Sequence, residues 1–247
     1  MKKILILIIL IMISFNSYSN EVIFHEKFYP KEKTKPPVVI ALHSSGGYFT
    51  VHKAVKPFLN AGFAVYTPDF FSKHNITKKN RFQTWTKYRK PIEKELIEIV
   101  NLIKKDTKID NKNIFAVGYS NGGYWASFLA AKNYVNAGVS YYGVWKWSRT
   151  FNGYPAKYFS EKSNPVLALI GMKDTIQKYR RNSSEISYIK RNSSKFKVHF
   201  YKNAGHSWDC KRCLSIVCTT QRKETQGYYK LLYISYIRLQ EQRNTYL

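Results

Sequence analysis

Gly118-Tyr119-Ser120-Asn121-Gly122, with Gly123 beside it, decides how the rest of this chain is read. The stretch follows Ile114 to Gly118, an apolar run suited to a buried strand, and leads into Gly122 to Lys132, which reads as an apolar helix. A serine caught in so tight a strand-to-helix turn takes strained backbone angles. The flanking positions must then be glycine, or their side chains would strike the neighbouring strand and helix. The pentapeptide alone arises often by chance; its setting makes it a nucleophile elbow.

Outward from the elbow, short β-rich runs alternate with helical patterns, the mark of an α/β fold with a mainly parallel sheet. On the N-terminal side lie an extended stretch (Val22 to Phe28), a continuous apolar run (Val38 to Leu42) and a small-residue turn (His43 to Gly47). A helix over Thr50 to Asn60, a break at Gly62 and a strand from Ala64 to Thr67 follow. Pro91 suits a helix first turn, and Ile92, Leu96, Ile99 and Ile103 then fall on one stripe, with Glu93, Lys94, Glu98, Asn101 and Lys105 outward. Beyond the elbow, strands are expected at Ala137 to Tyr142, Val166 to Ile170 and Lys197 to Tyr201, and a last amphipathic helix at Glu224 to Leu239. Gly143 to Asn164 lacks helical periodicity and leaves no room for a folded lid. The repeated Arg-Asn-Ser-Ser at Arg181 and Arg191 reads as a solvated face.

A serine hydroxyl needs a base, and the base needs an orienting acid. In strand-turn-helix enzymes of this kind the chain order is serine, acid, histidine. Only His199 and His206 follow Ser120; His199 falls inside a strand, whereas His206 follows Ala204-Gly205 on the loop after it, so His206 is the base. The chain has five aspartates. Asp106 and Asp110 precede the Ser120 strand and belong to the opposite sheet edge, Asp69 precedes the serine, and Asp209 lies three residues after His206. Asp174 remains, on the loop after Val166 to Ile170. His43-Ser44-Ser45-Gly46-Gly47 can aim a backbone N–H at a developing oxyanion, with Ser45 the expected donor and the N–H of Asn121 the second. His43 is expected to bond the loop backbone rather than to take part in catalysis. No metal or organic cofactor is needed.

Taken together, Leu42-His43 with its small-residue loop, Thr67-Pro68-Asp69-Phe70-Phe71, the elbow, Ser140-Tyr141-Tyr142-Gly143, Gly171-x-x-Asp174 and Ala204-Gly205-His206 resemble the dienelactone hydrolase family of α/β-hydrolases. The likeness runs from about Val38 to about His206. It implies an α/β-hydrolase fold, a mainly parallel sheet flanked by helices without a large cap domain, and hydrolysis of esters or lactones. The enzymes that give the family its name use a cysteine nucleophile. Ser120 stands in that place here, which favours a general carboxylic ester hydrolase.

The start of the chain carries Lys2 and Lys3, an apolar run from Ile4 to Ile13, and small residues at Ser17 and Ser19. That is the pattern of a secretory signal peptide cleaved after Ser19, and ten apolar residues fall short of the roughly 20 that span a bilayer. The expected organisation is a signal peptide over 1–19 and one domain over 20–247, exported to the periplasm or beyond, with no membrane span after cleavage. Cys210, Cys213 and Cys218 follow His206 closely; in an oxidising compartment a disulfide among them is expected, with a zinc site the competing reading.

Lys plus Arg number 41 against 15 Asp plus Glu, a net charge of +26 spread along the chain. Such a field draws anionic partners, an acidic envelope polymer among them, beside the small ester substrate. The aromatic interleaving of a single-strand nucleic-acid groove is thin, so nucleic acid is disfavoured. A peptidase or thioesterase on the same scaffold, and a catalytically idle basic binding protein, are the rival functions.

Overall fold

The computed structural model describes residues 24–146 and 155–208. The leader, the three cysteines, Asp209 and the expected helix at 224–239 lie outside the described residues.

Among the described residues seven strands form one sheet: β1 (Phe24–Phe28), β2 (Val38–Leu42), β3 (Ala64–Pro68), β4 (Ile114–Tyr119), β5 (Ala137–Tyr141), β6 (Val166–Gly171) and β7 (Phe196–Tyr201), in the order β1-β3-β2-β4-β5-β6-β7. β1 runs antiparallel to β3 and every other pairing is parallel. β2 and β4 bury every residue, as strands covered on both faces must, and this is why they read as unbroken apolar runs.

Among the described residues four α-helices cover the sheet: α1 (His52–Asn60), α2 (Arg89–Lys104), α3 (Asn121–Ala131) and α4 (Tyr179–Asn192). Val39, Ala41, Val65 and Val117 pack with Ala54 and Phe58 of α1 on one face. Val38, Ile40, Ala64 and Ala116 pack with α2, α3 and α4 on the other. The α2 stripe of Ile92, Leu96, Ile99 and Ile103 is buried as expected, and α3 buries all its residues. Glu95 is buried as well, against His74 Nε2 at 2.9 Å; burial pushes its carboxyl above the usual range, and the nearby His74 and Lys73 oppose that. Among the described residues no helix is long and apolar enough to cross a membrane.

The α4 helix departs from the sequence reading. It buries Asn182, Ile186 and Ile189, so Arg181-Asn182-Ser183-Ser184 opens a helix whereas Arg191-Asn192-Ser193-Ser194 closes it. Two isoleucines and an asparagine make too thin an apolar stripe to announce a helix by periodicity.

From β2 the chain steps to β3 on one side and then crosses back to β4 on the other. The direction of winding therefore reverses beyond the C-terminal ends of β2 and β4, and it is in the crevice at such a reversal that open α/β sheets bind ligands.

Candidate active site

Ser120 stands at that reversal point, between β4 and α3. Its φ of 53° and ψ of −106° lie in a region that L-residues rarely occupy. Two bonds pin it there: its N–H donates to Tyr141 O at 2.9 Å, and its C=O accepts from Gly123 N at 3.0 Å. The flanking glycines are dictated by contact. A Cβ on Gly118 would lie 1.9 Å from Gly122 O, and one on Gly122 would lie 2.1 Å from Leu42 O. Ser120 is buried, at 8% exposure.

His206 lies on the loop after β7 and Asp174 on the loop after β6, and the two loops are stitched together by Met172 N to Tyr201 O (3.0 Å) and Lys173 N to Ala204 O (2.9 Å). Asp174 is fixed from one side: its Oδ1 accepts the N–H of Ile176 at 2.8 Å and of Gln177 at 2.7 Å. That leaves Oδ2 to meet His206 Nδ1 at 2.7 Å, and the opposite ring nitrogen, Nε2, lies 3.1 Å from Ser120 Oγ. An ionised carboxylate can only accept, so Nδ1 carries the ring proton and Nε2 is left to accept from the serine hydroxyl. The three residues that the sequence singled out thus form one hydrogen-bonded row. Of the aspartates set aside, Asp106 accepts from Tyr66 Oη at 2.6 Å and Asp110 sits in the turn before β4, both at the far edge of the sheet.

Asn121 Nδ2 donates to Ser45 Oγ at 3.3 Å, joining the start of α3 to the turn after β2. The other amides of the turn are engaged: Ser44 N with Thr50 Oγ1, Gly46 N with Ser44 Oγ and Gly47 N with Ser44 O. The Ser45 amide has no such partner among the described residues. Asn121 is the first residue of α3, where an N–H has no intrahelical acceptor. Neither amide is therefore committed to another acceptor among the described residues, and that of Asn121 is fully buried.

His43 is fully buried beneath this turn, with Nδ1 2.9 Å from Ser44 O and its ring stacked on Phe70 at 3.8 Å. Its Nε2 faces Asp69 Oδ1 at 3.4 Å, an electrostatic contact rather than a well-formed hydrogen bond. Burial alone would raise the Asp69 carboxyl. His43, the Ser72 hydroxyl and the Phe71 amide outweigh it and hold Asp69 well below the usual carboxylate range. The backbone-bonding role expected for His43 is what the structure has; its pairing with Asp69 was not legible, because the two meet only when the loops after β2 and β3 come together.

Two further neighbours escaped the sequence. Tyr142, at φ 40°, sets its ring 4.8 Å from that of His206, and Lys53 of α1 donates to Tyr142 Oη at 2.9 Å. Lys53 also lies 4.2 Å over the ring of Tyr119, the residue before the serine. Nothing in the pattern of α1 could mark Lys53, since Tyr119 ends β4 and Tyr142 follows β5. Among the described residues no group of three or more His, Cys, Asp or Glu side chains is placed to hold a metal.

The model of the dienelactone hydrolase family matches residues 26–227. The carboxymethylenebutenolidases of Pseudomonas putida and Pseudomonas knackmussii are each 23% identical over 189 residues, covering 72% of this chain and 77% of theirs. Among solved structures, a sugar hydrolase from Lactococcus lactis has a TM-score of 0.67 at 13% identity, covering 87% of this chain and 96% of its own. An esterase from Thermogutta terrifontis has a TM-score of 0.63 at 14% identity, covering 82% and 85%. A family match over most of the length, on a sheet that reverses its winding at a strained serine, leads to one assignment: the chain belongs to the dienelactone hydrolase family and is an α/β-hydrolase that cleaves carboxylic ester or lactone bonds.

Proposed function

We propose that this protein is an exported serine hydrolase working through an acyl-enzyme on Ser120. The observation that carries the reading is the row Asp174 Oδ2, His206 Nδ1, His206 Nε2, Ser120 Oγ, with contacts of 2.7 and 3.1 Å. Ser120 Oγ attacks the carbonyl carbon as its proton passes to His206 Nε2. Asp174 keeps the ring in the correct tautomer and steadies the imidazolium. The tetrahedral oxyanion is received by the amides of Ser45 and Asn121. Collapse expels the alcohol, which takes the proton from His206; water then repeats the sequence and frees the acid. With a lactone, alcohol and acid leave as one molecule. The name carried by the Pseudomonas relatives puts a cyclic unsaturated ester beside acyclic ones as a substrate to assay.

Ser120→Ala should abolish hydrolysis of p-nitrophenyl esters and labelling by a fluorophosphonate, lowering kcat by about 10⁴ to 10⁶ with the melting temperature preserved. Near-normal turnover in the folded variant would overturn the assignment. Export and at least one disulfide among Cys210, Cys213 and Cys218 belong to the same proposal. Intact mass of the secreted protein, without reductant and after thiol alkylation, tests both: the expected mass begins at Asn20 and lacks two alkylated thiols.

A further inference from the structure

We propose that the edge of the molecule opening onto Ser120 docks on an anionic phospholipid surface. The loops after β2, β3, β6 and β7 all emerge at this edge. They carry four of the large apolar side chains that stand in solvent: Phe49 (68% exposed), Phe82 (50%), Met172 (42%) and Ile176 (57%). Such side chains singly need no explanation; four on the loops around one crevice form an apolar rim. The long loop after β3 is anchored to this edge by Trp85, which packs at 4.7 Å on Tyr124 in the first turn of α3.

Between these apolar residues stand exposed lysines: Lys78, Lys79 and Lys87 on the loop after β3, and Lys173, Lys178 and Lys202 on the loops after β6 and β7. Lysine is abundant throughout the chain, so the lysines alone decide nothing. The distribution of carboxylates does. The described loops of this edge hold two acids, Asp69 and Asp174, both buried and both hydrogen-bonded inward. Glu26 on β1, an exposed carboxylate paired with Thr67 at the end of β3, is bonded by Tyr48 and faces His52. At the opposite edge Glu32, Asp106, Asp110 and Glu161 are interspersed among the lysines. Among the described residues the opposite edge is therefore mixed in sign, whereas the loops after β2, β3, β6 and β7 expose lysines, apolar groups and neutral polar side chains but no carboxylate.

An anionic leaflet answers both components. Each lysine close to the headgroups raises partitioning roughly fivefold, and Phe, Ile and Met side chains enter the acyl boundary. A bare polyanion would leave the apolar rim without a function, and an uncharged lipid surface would leave the lysines without one. The docking itself does not depend on the serine-hydrolase reading, which supplies only its purpose: a docked crevice faces esters held at the lipid surface.

Sedimentation with vesicles of phosphatidylcholine alone, and of phosphatidylcholine mixed with phosphatidylglycerol, tests the idea at low and at near-physiological salt. Binding is expected to the mixed vesicles only and to weaken with salt. Lys78→Glu combined with Lys79→Glu and Lys87→Glu should reduce it by about 10²-fold or more, and Phe82→Ser alone by several-fold, both with turnover of a soluble ester unchanged. Phe82→Ser keeps the test open should the triple variant fail to fold. Ser120→Ala protein should bind as the parent does, which separates loss of docking from loss of chemistry. Equal binding to both vesicle types, binding to neither, or retention on dextran sulfate without vesicle binding would each overturn the proposal.

Discussion

Asp174 has two backbone donors on one oxygen and the imidazole on the other, so its carboxylate has no freedom to rotate away. An asparagine of the same shape would keep part of this bonding but could hold the imidazole in the wrong tautomer. Asp174→Asn should therefore stay folded and lose up to about 10⁴ in kcat, with Asp209→Asn nearly silent; steady-state rates and thermal melts of the two variants check this, and the reverse ranking would show that the wrong acid has been identified. Asp69 makes a different forecast. Its folded carboxyl is held below the ordinary value, so the stability it contributes is present above the unfolded pKa of about 4 and is lost as pH falls from there through the folded pKa. Asp69→Asn should lower the urea midpoint at neutral pH, and the gap from the parent should shrink on acidification below about pH 4. A gap independent of pH would mean that Asp69 is not the titrating anchor of the His43 turn. The meeting of Ser120, Asp174 and His206 in one hydrogen-bonded row was legible in advance because a serine nucleophile would demand those residue types in a fixed order and few aspartates and histidines compete. Lys53, Tyr142 and the His43 to Asp69 contact were not, since each joins segments that periodicity and chain order treat as unrelated.

At the scale of elements, legibility follows burial. β2, buried on both faces, was bounded to the residue, and β4, β5 and β6 to within one, because continuous apolar runs between turn residues have few alternative readings. The helix from Pro91 onward was equally plain from its stripe, although it begins two residues earlier, at Arg89. The α4 helix was not, since it meets the sheet through Ile186 and Ile189 and holds the chain near Lys146 through Asn182, whose Oδ1 accepts the Lys146 amide at 2.9 Å. So narrow a contact concentrates its energy. Ile189→Ala, at a fully buried site, should cost about 2 to 5 kcal/mol in urea unfolding, whereas Tyr188→Ala on the exposed side should stay within about 0.5 kcal/mol. Similar losses at both positions would mean that α4 is not seated by its isoleucines.

For the molecule as a whole, net charge was legible as a number and illegible as a surface, because only the fold decides which carboxylates are turned inward, as Asp69 and Asp174 are, and which stay exposed among the lysines. The fold also distributes the reactive row unevenly. Ser120 leaves a central strand flanked on both sides, whereas His206 leaves β7, the last strand of the sheet, held by β6 alone among the described strands and buried only at its two ends. Outer strands open at lower free energy than the core of a domain. The expected order of loss is therefore margin first and centre later. On gradual addition of urea, esterase activity should vanish before the far-ultraviolet circular dichroism changes, and fluorophosphonate labelling should fade with activity. Hydrogen exchange at Val198 and Phe200 should be faster than at Ala116 and Val117. Coincident loss of activity and dichroism would mean that β7 is as firmly docked as the middle of the sheet. If the two separate, clamping β7 to β6 would prolong activity without raising the melting temperature: such a catalyst wears out by fraying, and its durability can be tuned independently of its thermal stability.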